Sequence, residues 1–255
     1  MDRVNDAEGR ERLARAIALP LALPGAWVVV SAFPGAVRLV TMWIHESGHA
    51  VTAWMCGYAA WPGPWFTPIG GDRSPAASIL LVGTLGWGAY RAWQIGRWFW
   101  VAAASAALLA VLSFTMLLPA AAAQQLITFG GDAGNLVLGT ALMLTIYARA
   151  DHPIRANQLR WGLIAIGALA FMDTFLVWTG PSSNLPFGEN ENGLSDPSVL
   201  VDGYGWTVSL LIARYRQVAN GCIAVLFVAY ASALVRPLFN AAGARVKPLN
   251  DERRA

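Results

Sequence analysis

Charge is what this chain has least of: Asp, Glu, Lys and Arg make up 13% of its 255 residues, against roughly 25% in an ordinary soluble domain. Such a composition excludes a freely soluble globule. Cysteine is also scarce, with only Cys56 and Cys222, both inside apolar stretches. That excludes a disulfide framework and a CxxC metal pair. Lysine is nearly missing, since 17 of the 18 basic residues are arginine. These gather at the chain ends and in short connections, a distribution that fits the orientation of membrane helices and not a nucleic-acid surface. No composition shift, internal repeat or low-complexity linker divides the chain, so one domain over 1–255 is expected.

Apolar residues, by contrast, reach 56%. About 20 helical residues cross a hydrocarbon core of about 30 Å, and runs of that kind recur along nearly the whole length. The pattern predicts an all-α, polytopic transmembrane bundle of about six to eight helices, with spans near 15–33, 35–57, 76–96, 98–121, 131–149, 159–180 and 206–236. Pro20, Pro24 and Pro34 are expected to kink or end the first span. That span runs on into the next without a small-residue cleavage site, so it is expected to stay in the mature protein. Basic residues at the start (Arg3, Arg10, Arg12, Arg15) and at the end (Arg236, Arg245, Lys247, Arg253, Arg254) place both termini on the cytoplasmic side. Seven spans and a third basic cluster of Arg149, Arg155 and Arg160 conflict with that and leave the topology open. Two stretches rich in Pro, Gly and Asn, 58–75 and 181–205, read as loops. In the first, Trp61, Trp65 and Phe66 suit an aromatic belt at headgroup level.

Into this apolar background falls Trp43-Ile44-His45-Glu46-Ser47-Gly48-His49-Ala50. Residues four apart share one helix face, so His45 and His49 can turn both imidazoles toward one ion. Glu46 beside them is placed to act as general base toward water at that ion, the division of labour that HExxH implies in zinc hydrolases. A charged group inside lipid costs at least about 2.5–3.5 kcal/mol, so a His-Glu-His cluster there reads as a functional site. Gly48 costs about 1 kcal/mol relative to Ala in a helix, yet it admits a neighbouring backbone. The total of three histidines excludes membrane di-iron desaturases and hydroxylases, which need several such clusters.

Catalytic zinc takes three protein ligands plus water, so a third must come from elsewhere. Glu189, Glu191 and Glu252 fall in a loop or the tail. His152, in a basic connection, reads as a solvated loop residue. Asp132 and Asp173 lie within or at the edge of expected spans. Asp173 is deep in an apolar helix and needs a partner. Asp132, in Gly130-Gly131-Asp132-Ala133-Gly134-Asn135, stands at a glycine-rich entry to a helix, where it can ligate a metal or cap the helix.

The pair "HESGHA" at 45–50 and "GGDAGNLVLG" at 130–139 resembles the site-2 protease family of intramembrane zinc metalloproteases. Its members carry HExGHA on one transmembrane helix and an aspartate motif before a later one, and Gln124 falls where they often have asparagine. The resemblance covers about 35–150, and "LSDPSVL" at 194–200 is similar to a loop in some relatives. It implies Zn2+ held by His45, His49 and Asp132, Glu46 as catalytic base, and loop 58–75 along the substrate cleft. By the same resemblance the substrate is a transmembrane or juxtamembrane protein segment, met in the lipid bilayer of a bacterial cytoplasmic membrane. Departures include Gly130 for leucine, Ala133 for glycine and "VGTLGWG" at 82–88 for a GPxxN pattern, and there is no peptide-binding insert. The alternative is a non-proteolytic homologue that keeps the zinc for structure or to hold a client.

Overall fold

The computed structural model describes residues 2–149, 152–190 and 193–245. In chain order its helices are α1 (Asp2–Ala32), α2 (Pro34–Met55), α3 (Pro75–Gln94), α4 (Trp98–Leu117), α5 (Ala120–Leu144), α6 (Pro153–Ala156), α7 (Leu159–Thr179), α8 (Asp196–Ser198) and α9 (Val208–Arg245). Apart from the single turns α6 and α8, each is 20 residues or longer. The fold is an all-α helical bundle. Five stretches, Gly9–Ala32, Trp98–Leu117, Ala120–Tyr147, Leu159–Thr179 and Val208–Val235, are long and apolar enough to cross a membrane. The chain is therefore a membrane protein. Two of the seven spans expected from sequence are not among these five: α2 carries Arg38, His45, Glu46 and His49, and α3 carries Arg91 and three glycines. The basic residues Lys247, Arg253 and Arg254 and the carboxylates Glu191 and Glu252 lie outside the described residues.

Helix α1 runs through Pro20 and Pro24 without ending, because flanking turns and neighbouring helices can re-satisfy the freed carbonyls. Pro34 instead opens α2 as one of its first residues, where a missing N–H costs nothing.

The expected span at 131–149 is in fact α5, which starts eleven residues earlier, after Pro119. Its glycine-rich segment is thus helix interior, and the capping alternative for Asp132 falls away. The reason is packing. A Cβ on Gly48 of α2 would lie 2.7 Å from the Gly134 Cα and would overlap the Gly130 carbonyl. The two backbones touch directly, a small-residue crossing of the kind that membrane helices use. Gly130 meets Thr52 while Gly134 meets Gly48, so α5 runs antiparallel to α2. On its other side α5 packs on α7, where Gly139 and Gly167 approach each other closely. Leu136, Met143, Ile164, Phe171 and Leu226 fill the core around these contacts.

Helices α3 and α4 pack mainly on each other, and Ala92 and Val111 are their only buried residues. Both loops carry order. Residues 58–75 include an antiparallel pair, β1 (Tyr58–Ala60) and β2 (Ile69–Arg73), tied down where the Arg73 guanidinium donates to the Cys56 and Leu118 carbonyls. Residues 181–205 include a second pair, β3 (Glu189–Asn190) and β4 (Gly193–Leu194), followed by α8.

Candidate metal centre

The i,i+4 spacing on α2 sets the two imidazoles edge to face, with centroids 4.8 Å apart and the two Nε2 atoms 3.1 Å apart. Each ring is fixed from behind. His49 Nδ1 lies 2.8 Å from the Ile127 carbonyl on α5, and His45 Nδ1 lies 3.2 Å from Asp132 Oδ1. A carbonyl or carboxylate oxygen only accepts, so both rings carry a proton on Nδ1, and both turn Nε2 toward the same point.

The third member is Asp196, the first residue of α8. Its Oδ2 lies 3.1 Å from His45 Nε2 and 3.0 Å from His49 Nε2. Burial pushes the Asp196 carboxyl up, but hydrogen bonding to His45 and His49 outweighs this and holds it well below the usual carboxylate range. One carboxylate oxygen and two imidazole Nε2 atoms thus meet in one triangle. Protons on Nε2 can bridge the triangle, and a metal ion taken up there would replace them. Ligands about 2.0–2.1 Å from a tetrahedral zinc stand about 3.3 Å apart, close to the spacing seen. His45, His49 and Asp196 form a group able to hold a metal ion.

Asp132, expected as the third ligand, lies on the opposite edge of the His45 ring. Both its oxygens are engaged, Oδ1 with His45 and Oδ2 with the indole N–H of Trp178 at 2.8 Å. Twelve residues into a continuous helix, it has no backbone freedom to reach around the ring. Asp173 accepts from the Thr41 hydroxyl at 2.9 Å. His152 stands apart, exposed, with Nδ1 accepting from the Ile154 amide at the start of α6.

Asp196 is carried in by an aromatic frame that no local pattern announces. The Tyr215 ring stacks between Trp178 at 4.1 Å and Phe129 at 4.3 Å. The Trp206 indole donates to Gln125, and Arg216 donates to the Trp178 carbonyl. Leu200, just beyond α8, is fully buried in this cluster. Within the loop, Ser195 N–H donates to the Gly188 carbonyl, and Gly188 N–H donates to Ser198 Oγ. The local signal was Ser195-Asp196-Pro197, a helix start, which says nothing of ligation.

Glu46 is buried, and its Oε2 accepts from Thr67 Oγ1 at 2.7 Å. Thr67 comes from the β1–β2 connection, and the sequence offered no reason to single it out. His45, Glu46, His49, Asp132, Asp173 and Asp196 all line one cavity of about 740 Å³. No protein-family model, curated protein or solved structure matches the chain.

Proposed function

We propose that the chain is a zinc metallopeptidase of the site-2 protease type, acting within a bacterial cytoplasmic membrane on a peptide bond in or beside a transmembrane segment. The observation that carries this reading is the meeting of His45 Nε2, His49 Nε2 and Asp196 Oδ2 in the wall of a cavity that also holds the Glu46 carboxylate. Three protein donors leave a fourth tetrahedral position for a reactant, the pattern of catalytic sites and not of structural ones. Bound there, zinc would supply Lewis acidity, polarising a carbonyl and lowering the pKa of water.

The remaining work falls to the chain. Thr67 occupies Glu46 Oε2, so Oε1 is the oxygen that takes the proton of the attacking water and returns it to the leaving nitrogen. Asp132 and the Ile127 carbonyl hold the two rings in one tautomer and orientation. A helical substrate has to unwind at the cut, because an intact helix shields its carbonyls.

Elemental analysis of purified protein, joined to cleavage of a panel of single-span substrates, tests the reading. About one zinc per chain is expected, lost in His45→Ala and His49→Ala. Equal metal content in wild type and both variants would sink the site. Zinc bound without cleavage of any substrate would point instead to a homologue that holds a client.

A further inference from the structure

Away from the cluster of His45, His49 and Asp196, an outward-facing groove between α1 and α7 lies beside a knot of arginines. Leu13, Ile17 and Leu21 on α1 and Ile164 on α7 line this groove of about 330 Å³, with Arg10 and Trp161 at its polar end. The three α1 side chains are 59%, 42% and 64% exposed, so the groove opens outward and not into the core. Next to Arg10 in the chain, the Glu11 carboxylate is shared by three guanidiniums: Arg15 at 2.9 Å, Arg160 at 2.7 Å and Arg155 at 3.4 Å. Arg160 is buried over the Trp161 ring, and its Nε has no partner.

By sequence, residues 1–20 and 149–160 together hold seven arginines and five carboxylates, a net positive charge. An anion at this end lowers the electrostatic energy, and a hydrocarbon tail suits the groove beside it. Guanidinium groups grip a phosphate through paired N–H donors, and basic pockets between transmembrane helices on the cytoplasmic side bind acidic headgroups. We propose that this groove binds one acidic glycerophospholipid, its phosphate at Arg10 and Arg155 and an acyl chain along Leu13, Ile17 and Leu21. The lipid bridges α1 to α7, the helix that carries Asp173 and Trp178.

The experiment uses full-length protein in detergent, mixed with phosphatidylglycerol, phosphatidylcholine or free glycerol phosphate. Retained lipid is counted by native mass spectrometry, and unfolding temperature is followed in parallel. Phosphatidylglycerol is expected to saturate near one per chain, about tenfold or more tighter than phosphatidylcholine, while glycerol phosphate gives no shift. Arg10→Gln removes headgroup contact and Ile17→Trp fills the groove, so each is expected to lose at least about fivefold in retention. Leu13→Trp replaces Ile17→Trp if that variant does not fold. Equal retention of the two phospholipids, binding unaltered by the variants, or a shift by glycerol phosphate as large as that by the lipid would each overturn the proposal.

Discussion

At Glu46, Thr67 donates to one carboxylate oxygen, and the proposed function gives the other the proton-transfer role. Glu46→Gln is therefore expected to keep zinc and fold while losing cleavage by about 10²–10⁴-fold, the usual worth of a general base. Wild-type turnover in that variant would remove Glu46 from the mechanism. The two aspartates around His45 are expected to separate in the same assay. Asp196→Asn replaces a carboxylate donor at the Nε2 triangle and should lose most of the metal. Asp132→Asn acts from behind the ring, so metal affinity should fall by about 10–100-fold, as is usual for groups that orient a ligand. Zinc titrations in which Asp132→Asn is the more damaging change would restore Asp132 as the ligand that the family resemblance implied.

Among the elements, the crossing of α2 and α5 determines how close the metal face can come to a second helix. Gly131 lies beneath the rings: a Cβ there would stand 2.5 Å from His45 Nε2 and would overlap His49 Nε2. Gly131→Ala is expected to leave the bundle folded and to displace the imidazoles, read as lost zinc with unchanged helical circular dichroism. Gly48→Ala differs, because its Cβ meets backbone on α5 that has no rotamer to yield. It should destabilise the protein by about 1–3 kcal/mol or more. An unfolding temperature equal to wild type would mean that the crossing is looser than these contacts require.

For the molecule as a whole, a metal held by His45, His49 and Asp196 would couple to the fold through the loop between α7 and α9, which carries Asp196. Without the ion, hydrogen bonds from His45 and His49 are the contacts that tie Asp196 to α2. Metal at about 100-fold above its Kd adds about 2.7 kcal/mol of stability, so a chelator should lower the unfolding temperature and expose 185–198 to proteolysis. Protease cuts that do not change on chelation would show that the aromatic frame of Trp178, Tyr215 and Phe129 holds the loop unaided.

Much of this was already legible in residue order. Apolar runs of span length required helices, since lipid leaves a backbone no other means of satisfying its hydrogen bonds, and the i,i+4 histidines with Glu46 marked the chemistry because their spacing is a property of one helix. Gly48 was legible as close approach, whereas the glycines of 130–134 read as a helix entry, because only α2 packed against them explains why glycine is helical there. Asp196 was legible only as part of the LSDPSVL stretch and not as a ligand. It stands 147 residues beyond His49, and no pattern along a chain tells which distant carboxylate will meet a helix face. That choice belongs to the tertiary structure: Trp178, Tyr215 and Leu200 bury the loop from one side, Trp178 claims Asp132 from the other, and Asp196 is the carboxylate left facing the Nε2 atoms.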